Sequence, residues 1–296
     1  MTDSTRKPQE FETVLSGSAA TVAEFEDDRA GLVYKFQNLL HKNPALVPLI
    51  VLVVAIIMFG LLLGSKFFSP FALTLILQQV QIVGIVAAAQ SLVILTAGID
   101  LSVGAIMVLS SVVMGQFTFR YGLPPGVAVV CGLIVGTAIG FVNGWLVAKV
   151  KLPPFIVTLG MWQIVLAANF LYSANETIRA QDIEAEAPLL QLFGATIDIG
   201  GARFTVGVIF MVLLVAGLAF VLRQTAWGRH VYAVGDDKEA AELSGVQVDK
   251  VLISVYMLAG LICAFAGWAM IGRIGSVSPT TGQLANIESI TAVVIG

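Results

Sequence analysis

A single carboxylate interrupts one of the longest apolar stretches of the sequence. Asp100 lies in ILTAGIDLSVGA (residues 94–105), between Gly98 and Ser102. An ionised aspartate at the centre of a membrane helix costs about 2.5–3.5 kcal/mol, but much less at a helix start, where it caps free N–H groups. The pattern favours Asp100 as the cap of the next helix. A broken-helix site, where the carboxylate bonds a polar solute, stays open.

Isolated polar residues in the apolar stretches are the second candidate set. Such side chains either line a polar path through a helical bundle or bond neighbouring helices. Gln78 and Gln81 are three residues apart and share a helical face, whereas Gln79 points elsewhere. Gln163 and Asn169 are expected on different faces. With Asp100, the set comprises Gln78, Gln81, Gln90, Thr96, Ser102, Asn143, Thr158, Gln163 and Asn169.

Other chemistry finds little support in the sequence. There is no G-x-x-x-x-G-K-[ST] phosphate-binding loop, no metal-ligand spacing, and no plausible Ser/His/Asp or Cys/His set around the only histidines, His41 and His230. Cys131 and Cys263 fall in apolar runs and are interpreted as packed thiols. Basic residues are dispersed, which argues against nucleic-acid binding. We therefore predict neither a catalytic site nor a metal or cofactor bound by this chain.

The composition indicates a membrane protein. Hydrophobic residues make up 57% of the chain and charged residues 12%, against about 25% charged in soluble domains. A membrane helix needs about 20 apolar residues. Seven candidate spans follow, at residues 46–63, 71–96, 102–119, 126–148, 155–173, 204–222 and 250–271. An eighth apolar run begins near Ile287 and is interpreted as a span cut at the C-terminus. The expected fold is an all-α polytopic transmembrane bundle over residues 46–296, after a polar tail at 1–45.

The basic residues favour a cytoplasmic N-terminus. This orientation places Lys66, Arg120, Arg179, Arg203 and Arg273 outside and the other eleven of the 16 lysines and arginines inside. The outer segment, residues 174–203, is long for a connection and is expected to form a lid or docking surface. The inner connection lies at residues 223–250.

Two further patterns predict local structure. Gly132, Gly136, Gly140 and Gly144 recur every four residues, which favours close approach of another helix. In the inner connection, Asp236 and Glu239 fit a capping box, and Gly245 is placed to end the short helix. Such a helix needs a partner surface, either a protein that docks there or its own bundle.

Three stretches resemble the permease subunits of bacterial ATP-binding cassette importers for monosaccharides, the ribose, xylose, arabinose, galactose and fructose group. They are LTAGIDLSVGAIMVLSSVVMG (95–115), GFVNGWLVAKVKLPPFIVTLG (140–160) and TAWGRHVYAVGDDKEAAELSGV (225–246), in the order of that family. The segment GMWQIVLAANFLYSANETI (160–178) departs from the commoner form and is most similar to the fructose-importing branch.

The resemblance implies the architecture and partners of an importer. Permeases of the family have about ten transmembrane helices, pair as dimers in the inner membrane, receive sugar from a periplasmic binding protein, and are driven by a cytoplasmic ATPase that uses ATP and Mg²⁺. The family's ATPase-coupling motif falls on Gly228, Arg229, Ala233, Gly235, Ala240, Ala241, Ser244 and Gly245, with Glu239 inside the same helix. The inner connection that contains them, residues 223–250, is therefore called the coupling segment. The polar set named above becomes the candidate sugar path.

Two other functional classes are weaker expectations than the importer permease. An ion-coupled secondary sugar transporter would want titratable residues inside its spans, and Asp100 is the only such acid. A membrane scaffold without transport would need neither the polar set nor a capped cytoplasmic helix.

Overall fold

The computed structural model describes residues 38–42, 46–199, 201–282 and 284–295. Residues 57–295 form one compact unit, and the described residues up to Ile56 belong to another. Residues 38–42 are helical. Most of the N-terminal tail predicted at 1–45 lies outside the described residues.

The described chain is nearly all helical, as predicted. The longer helices are α1 (Leu46–Leu63), α2 (Pro70–Ile94), α3 (Val103–Phe119), α4 (Pro125–Ala148), α5 (Pro154–Ser173), α7 (Val206–Gln224) and α10 (Val248–Ile274). Shorter helices are α6 (Ala180–Glu186), α8 (Ala226–Asp236), α9 (Lys238–Leu243) and α11 (Ala285–Ile295), with 3₁₀ turns at Gly64–Lys66 and Pro188–Gly194.

Six described helices are long and apolar enough to cross a membrane: α1 with its 3₁₀ extension to Lys66, α2, α4, α5, α7 and α10. The remaining predicted span, at 102–119, is the 17-residue helix α3. The run expected near Ile287 begins at Ala285 as α11. Prolines explain several starts, since Pro70, Pro125 and Pro154 each open a helix, where a missing N–H costs nothing.

Helix α10 forms the centre of the bundle. Of its most apolar 18-residue window, 61% is buried, against at most 28% for the other five spans. It packs on α4, α3 and α2. Among its buried residues, Val255, Cys263 and Ala266 are fully inaccessible.

The glycine row of α4 lies against α10 and α3. A Cβ on Gly136 would come within 2.7 Å of the Gly260 carbonyl oxygen, and one on Gly144 within 2.9 Å of the Ile253 Cα, both in α10. A Cβ on Gly140 would strike the Tyr256 carbonyl, and one on Gly132 would lie 2.9 Å from the Ser110 carbonyl oxygen of α3. These glycines let the helix backbones approach closely.

The outer segment contains the only described strands, which the all-α prediction did not include. After α6 and the second 3₁₀ turn, β1 (Thr196–Ile199) and β2 (Ala202–Thr205) form an antiparallel hairpin with Thr196 opposite Thr205. The segment is fastened to α10, because the Trp268 indole N–H donates to the Leu189 carbonyl at 3.2 Å and Gln191 Nε2 donates to the Gly275 carbonyl at 3.1 Å.

The coupling segment forms two helices, α8 and α9, and the predicted cap at Asp236 is wrong. Asp236 is the last residue of α8, so its helical backbone cannot begin another helix. Asp237 takes that role in extended conformation, and its Oδ1 accepts from the N–H groups of Glu239 at 2.9 Å and Ala240 at 3.0 Å. The capping box is absent, since the Asp237 N–H donates to the Ala233 carbonyl.

The end of α9 follows the prediction. Gly245 has a φ of +85°, its N–H donates to the Glu242 carbonyl, and the Val246 N–H donates to the Ala241 carbonyl. These two bonds form the Schellman motif that ends a helix at a left-handed residue.

Candidate functional site

The connection between α2 and α3, here called the buried turn (residues 95–102), gathers most of the predicted polar residues. Helix α2 ends in a second Schellman motif, in which Ala97 is left-handed with a φ of 58° and the Gly98 N–H donates to the Val93 carbonyl at 3.1 Å. Gly98 is required because a Cβ there would lie 2.9 Å from the Tyr256 hydroxyl. The chain thus reverses within a packed interior.

Asp100 is 2% exposed and bonds its own turn. Its Oδ1 accepts from the Ser102 N–H at 2.7 Å and from the Ser102 hydroxyl at 2.6 Å. From α2, the Gln90 amide binds the Asp100 backbone twice, since its nitrogen donates to the carbonyl at 3.0 Å and its oxygen accepts from the N–H at 3.3 Å. Both residues therefore stabilise the reversal.

The prediction that Asp100 caps the next helix is wrong. Helix α3 begins at Val103, with Ser102 in the N-cap position and without a side-chain capping bond. Asp100 lies two residues too early, so its carboxylate satisfies Ser102 instead. The Gly104 N–H is bonded by the Asn286 Oδ1 of α11, which supplies the cap from a distant part of the sequence.

Two other helices bond the buried turn. Asn143 of α4 donates from Nδ2 to the Ser102 hydroxyl oxygen at 2.9 Å, and the Thr158 hydroxyl of α5 is 3.0 Å from the Ile99 carbonyl oxygen. Thr96 donates to the Val93 carbonyl at 2.8 Å. The structure thus brings Gln90, Thr96, Asp100, Ser102, Asn143 and Thr158 together, all buried and all bonded to the turn or its neighbours. This geometry favours a structural role for them.

The other four candidates lie apart from the buried turn. Gln81 is buried and its Oε1 accepts from the Thr205 hydroxyl at 2.5 Å. Asn169 is buried and donates to the Pro279 carbonyl at 2.9 Å. Gln78 is half-buried and Gln163 is exposed. Whether any of the ten residues contacts a solute during transport stays a prediction.

A separate cavity of about 410 Å³, here called the α2–α10 cavity, lies among α2, α3, α10, α11 and the loop before α11. Its polar lining residues are Gln79, Arg273, Thr280, Thr281 and Glu288. None of the ten predicted path residues lines it. The sequence prediction left out Gln79 because this residue is not on the helical face shared by Gln78 and Gln81. Its position on another face of α2 agrees with its place in the lining of this cavity.

The coupling segment packs against the buried turn. A Cβ on Gly235 would collide with the Leu95 carbonyl and lie 3.5 Å from the Thr96 Cα. Val231 and Val234 of α8 and Ala241 of α9 are buried in the main core. The opposite face is open, since Leu243 is 91% exposed while Glu239 and Ser244 are also exposed. The two helices therefore have the packed surface that short helices need, and they present a second surface outward.

The predicted coupling residues share this segment but differ in burial. Gly228 and Ala241 are buried, Gly235 is half-buried, and the exposed members are Arg229, Glu239, Ala240, Ser244 and Gly245. At the same end of the bundle, Lys149 forms an ion pair with Asp249 at 2.8 Å. Among the described residues there is no cluster of three or more His, Cys, Asp or Glu side chains that could hold a metal.

The sequence is similar to import permeases of several bacteria. It is 70% identical over 97% of its length to the fructose import permease protein FrcC of Rhizobium meliloti, of which it covers 80%. It is 34% identical over 88% of its length to the ribose import permease protein RbsC of Bacillus subtilis (strain 168), of which it covers 78%. The autoinducer 2 import system permease protein LsrC of Escherichia coli O9:H4 (strain HS) is 32% identical over 87% of the chain, which covers 72% of that protein.

No solved structure matches the chain significantly. A family model, described as "Branched-chain amino acid transport system / permease component", matches residues 72–296. With six candidate spans, the chain is a multi-pass membrane protein. The resemblance found in the sequence is confirmed: this chain belongs to the family of branched-chain amino acid transport system permease components, and its relatives include the sugar import permeases.

Proposed function

We propose that this chain is the transmembrane permease subunit of an ATP-binding cassette importer that moves a monosaccharide, first of all fructose, into the cell. The observation that carries the proposal is the 70% identity to a fructose import permease over 97% of the chain. The comparisons give no support to an ion-coupled secondary transporter, because the relatives named above are import permeases.

In this proposal a separate cytoplasmic ATPase, which binds ATP and Mg²⁺, contacts the coupling segment and transmits its conformational changes to it. The support is geometric. One face of α8 and α9 is packed into the core, and the other carries exposed residues, Leu243 among them. Because Gly235 lies against Leu95, a displacement of α8 would be transmitted first to the buried turn.

The remaining partners follow from the same proposal. A periplasmic binding protein delivers sugar to the outer face, which includes the outer segment, and a second copy of the permease completes a homodimer. The protein lies in the bacterial inner membrane with its N-terminus in the cytoplasm. The placement of the eleven inner lysines and arginines supports this orientation.

The test is uptake of labelled fructose by proteoliposomes that contain the permease, its ATPase and its binding protein. We expect uptake to require ATP and to persist when ionophores collapse all ion gradients. Uptake without the ATPase, driven by an ion gradient alone, would refute the proposal.

A matched pair of variants tests the coupling segment in the same assay. Asp237→Ala removes the cap of α9, a loss of about 1 kcal/mol of helix stability, and should lower ATP-driven uptake about fivefold. Asp236→Ala removes the neighbouring acid, which caps neither helix, and should leave uptake unchanged. Equal effects of both variants would contradict the assigned cap.

A further inference from the structure

The α2–α10 cavity combines an apolar floor with a polar rim. Ile82, Met107 and Met270 form buried parts of the lining. The rim residues Gln79, Arg273, Thr280 and Glu288 are exposed. Sites for small molecules commonly have volumes of about 300–1,000 Å³ and join apolar walls to a few convergent polar groups. The cavity volume of about 410 Å³ falls in this range.

The charges on the rim are opposite in sign. Arg273 contributes a guanidinium and Glu288 a carboxylate, and the other polar lining residues, Gln79, Thr280 and Thr281, are neutral. Arg273 donates from Nη2 to the Oε1 of Gln79, across from α10 to α2. A rim with one charge of each sign and several hydroxyl and amide groups matches a neutral molecule rich in hydroxyl groups, since each hydroxyl both donates and accepts.

The loop that closes one side of the cavity is held close to the floor by a glycine. Gly282 has a φ of +79°, which disfavours any residue with a Cβ. A Cβ at this position would also lie 2.7 Å from the Met107 Cε and 3.0 Å from the Met270 Sδ. The glycine thus lets the loop that carries Thr280 and Thr281 pack closely against Met107 and Met270.

The cavity lies at the end of α10 that is remote from the coupling segment. Arg273 is the penultimate residue of this 27-residue helix, whose first residue, Val248, lies in the coupling segment. A helix of that length rises about 40 Å, enough to cross a bilayer. If the coupling segment is cytoplasmic, the cavity therefore faces the side from which sugar arrives.

We propose that the α2–α10 cavity is a transit site for the imported monosaccharide, in which Arg273, Gln79 and Glu288 bond sugar hydroxyls while Met107 and Met270 contact its C–H face. The inference rests on the proposed function and adds the site to it. The cavity is distinct from the buried turn, because no residue of the turn lines it.

The first test uses the reconstituted importer. Arg273→Gln and Gln79→Leu should each lower ATP-driven fructose uptake at least about tenfold, as expected for losing a hydrogen bond that involves a charged group. ATP hydrolysis stimulated by the binding protein should be retained, because the coupling segment is untouched. Arg120→Gln is the matched control, since it removes an exposed arginine that bonds the Tyr172 carbonyl, away from the cavity; its uptake should equal that of the unmodified protein.

The second test measures occupancy without transport. In the complete complex, a Thr281→Cys variant should react with a membrane-impermeant thiol reagent, and saturating fructose should slow the reaction roughly tenfold. L-Leucine, the kind of ligand that the family description suggests, should not slow it. This measurement decides the matter if the Arg273 variant proves unstable.

The outcomes separate the two proposals. Failure of the unmodified complex to import fructose would refute the proposed function. A second outcome would refute only the transit site in the cavity. In that outcome Arg273→Gln and Gln79→Leu import fructose normally, and fructose does not slow the labelling of Thr281→Cys. Protection by L-leucine and not by fructose would also overturn it, in favour of a zwitterionic amino acid held between Arg273 and Glu288.

Discussion

At the scale of single residues, several buried polar side chains of this bundle bond the buried turn. Gln90, Asn143 and Thr158 reach the buried turn from three different helices. A chain reversal inside an apolar interior leaves backbone groups without helical partners, and each buried unpaired group costs several kcal/mol in lipid. Side-chain amides and hydroxyls satisfy this need without adding charge.

This argument predicts the effect of Asn143→Ala. The substitution removes the donor to the Ser102 hydroxyl oxygen and leaves a gap in a fully buried site. We expect a loss of about 1–3 kcal/mol, visible as a lower midpoint of thermal unfolding in detergent. Gln163→Ala is the matched control, because it truncates an exposed amide. If both variants unfold at the same temperature, the Asn143 bond does not stabilise the turn.

At the scale of elements, the packing of α4 on α10 depends on backbone contact. A Cβ on Gly136, Gly140 or Gly144 would meet the backbone of α10. Small residues gain van der Waals contact between helices in a medium where burial of apolar surface offers no net advantage. The coupling segment uses a related device, since Gly235 brings α8 onto the backbone of the buried turn.

Two glycines with opposite surroundings test this packing. A Cβ on Gly140 would strike the Tyr256 carbonyl, so Gly140→Ala should separate α4 from α10 and lower the unfolding midpoint, at a cost of about 1–3 kcal/mol. Gly160 of α5 has nothing within 4 Å of such a Cβ. Gly160→Ala should be neutral or stabilising by up to about 1 kcal/mol, because alanine favours helix over glycine. If Gly140→Ala and Gly160→Ala both lower the unfolding midpoint, the loss of stability does not come from the contact between α4 and α10.

At the scale of the whole molecule, one helix joins the coupling segment to the α2–α10 cavity. Helix α10 begins within the coupling segment, and its last two residues, Arg273 and Ile274, line the α2–α10 cavity. The outer segment is fastened to the same far end through Trp268 and Gly275. A movement imposed at α8 therefore has a continuous packed route to the site where we place the sugar.

The orientation of the molecule is open to a direct measurement. With the N-terminus in the cytoplasm, Glu184→Cys in the outer segment should react with a membrane-impermeant maleimide applied to intact spheroplasts. Glu242→Cys in the coupling segment should react only after permeabilisation. The two segments are joined by the single membrane-spanning helix α7, so they should lie on opposite sides of the membrane. The unmodified protein is the control, since Cys263 is buried and Cys131 half-buried. Labelling in the reverse pattern would invert the topology.

The sequence by itself determined the membrane fold, most helix bounds and the end of α9. These features are local: apolar run length, proline at helix starts and a left-handed glycine each act within a few residues. The three long motifs, at 95–115, 140–160 and 225–246, also made the permease family recognisable from the order of residues alone.

Only the tertiary structure decided which polar groups meet. Asn286 caps Gly104 across 182 residues, and Arg273 reaches Gln79 across 194. Sequence spacing fixes the face of a helix on which a residue lies, but it does not fix which other helix packs there. For that reason no local pattern predicted that six of the ten candidate path residues would meet at the buried turn. Nor did any local pattern join the residues that line the α2–α10 cavity.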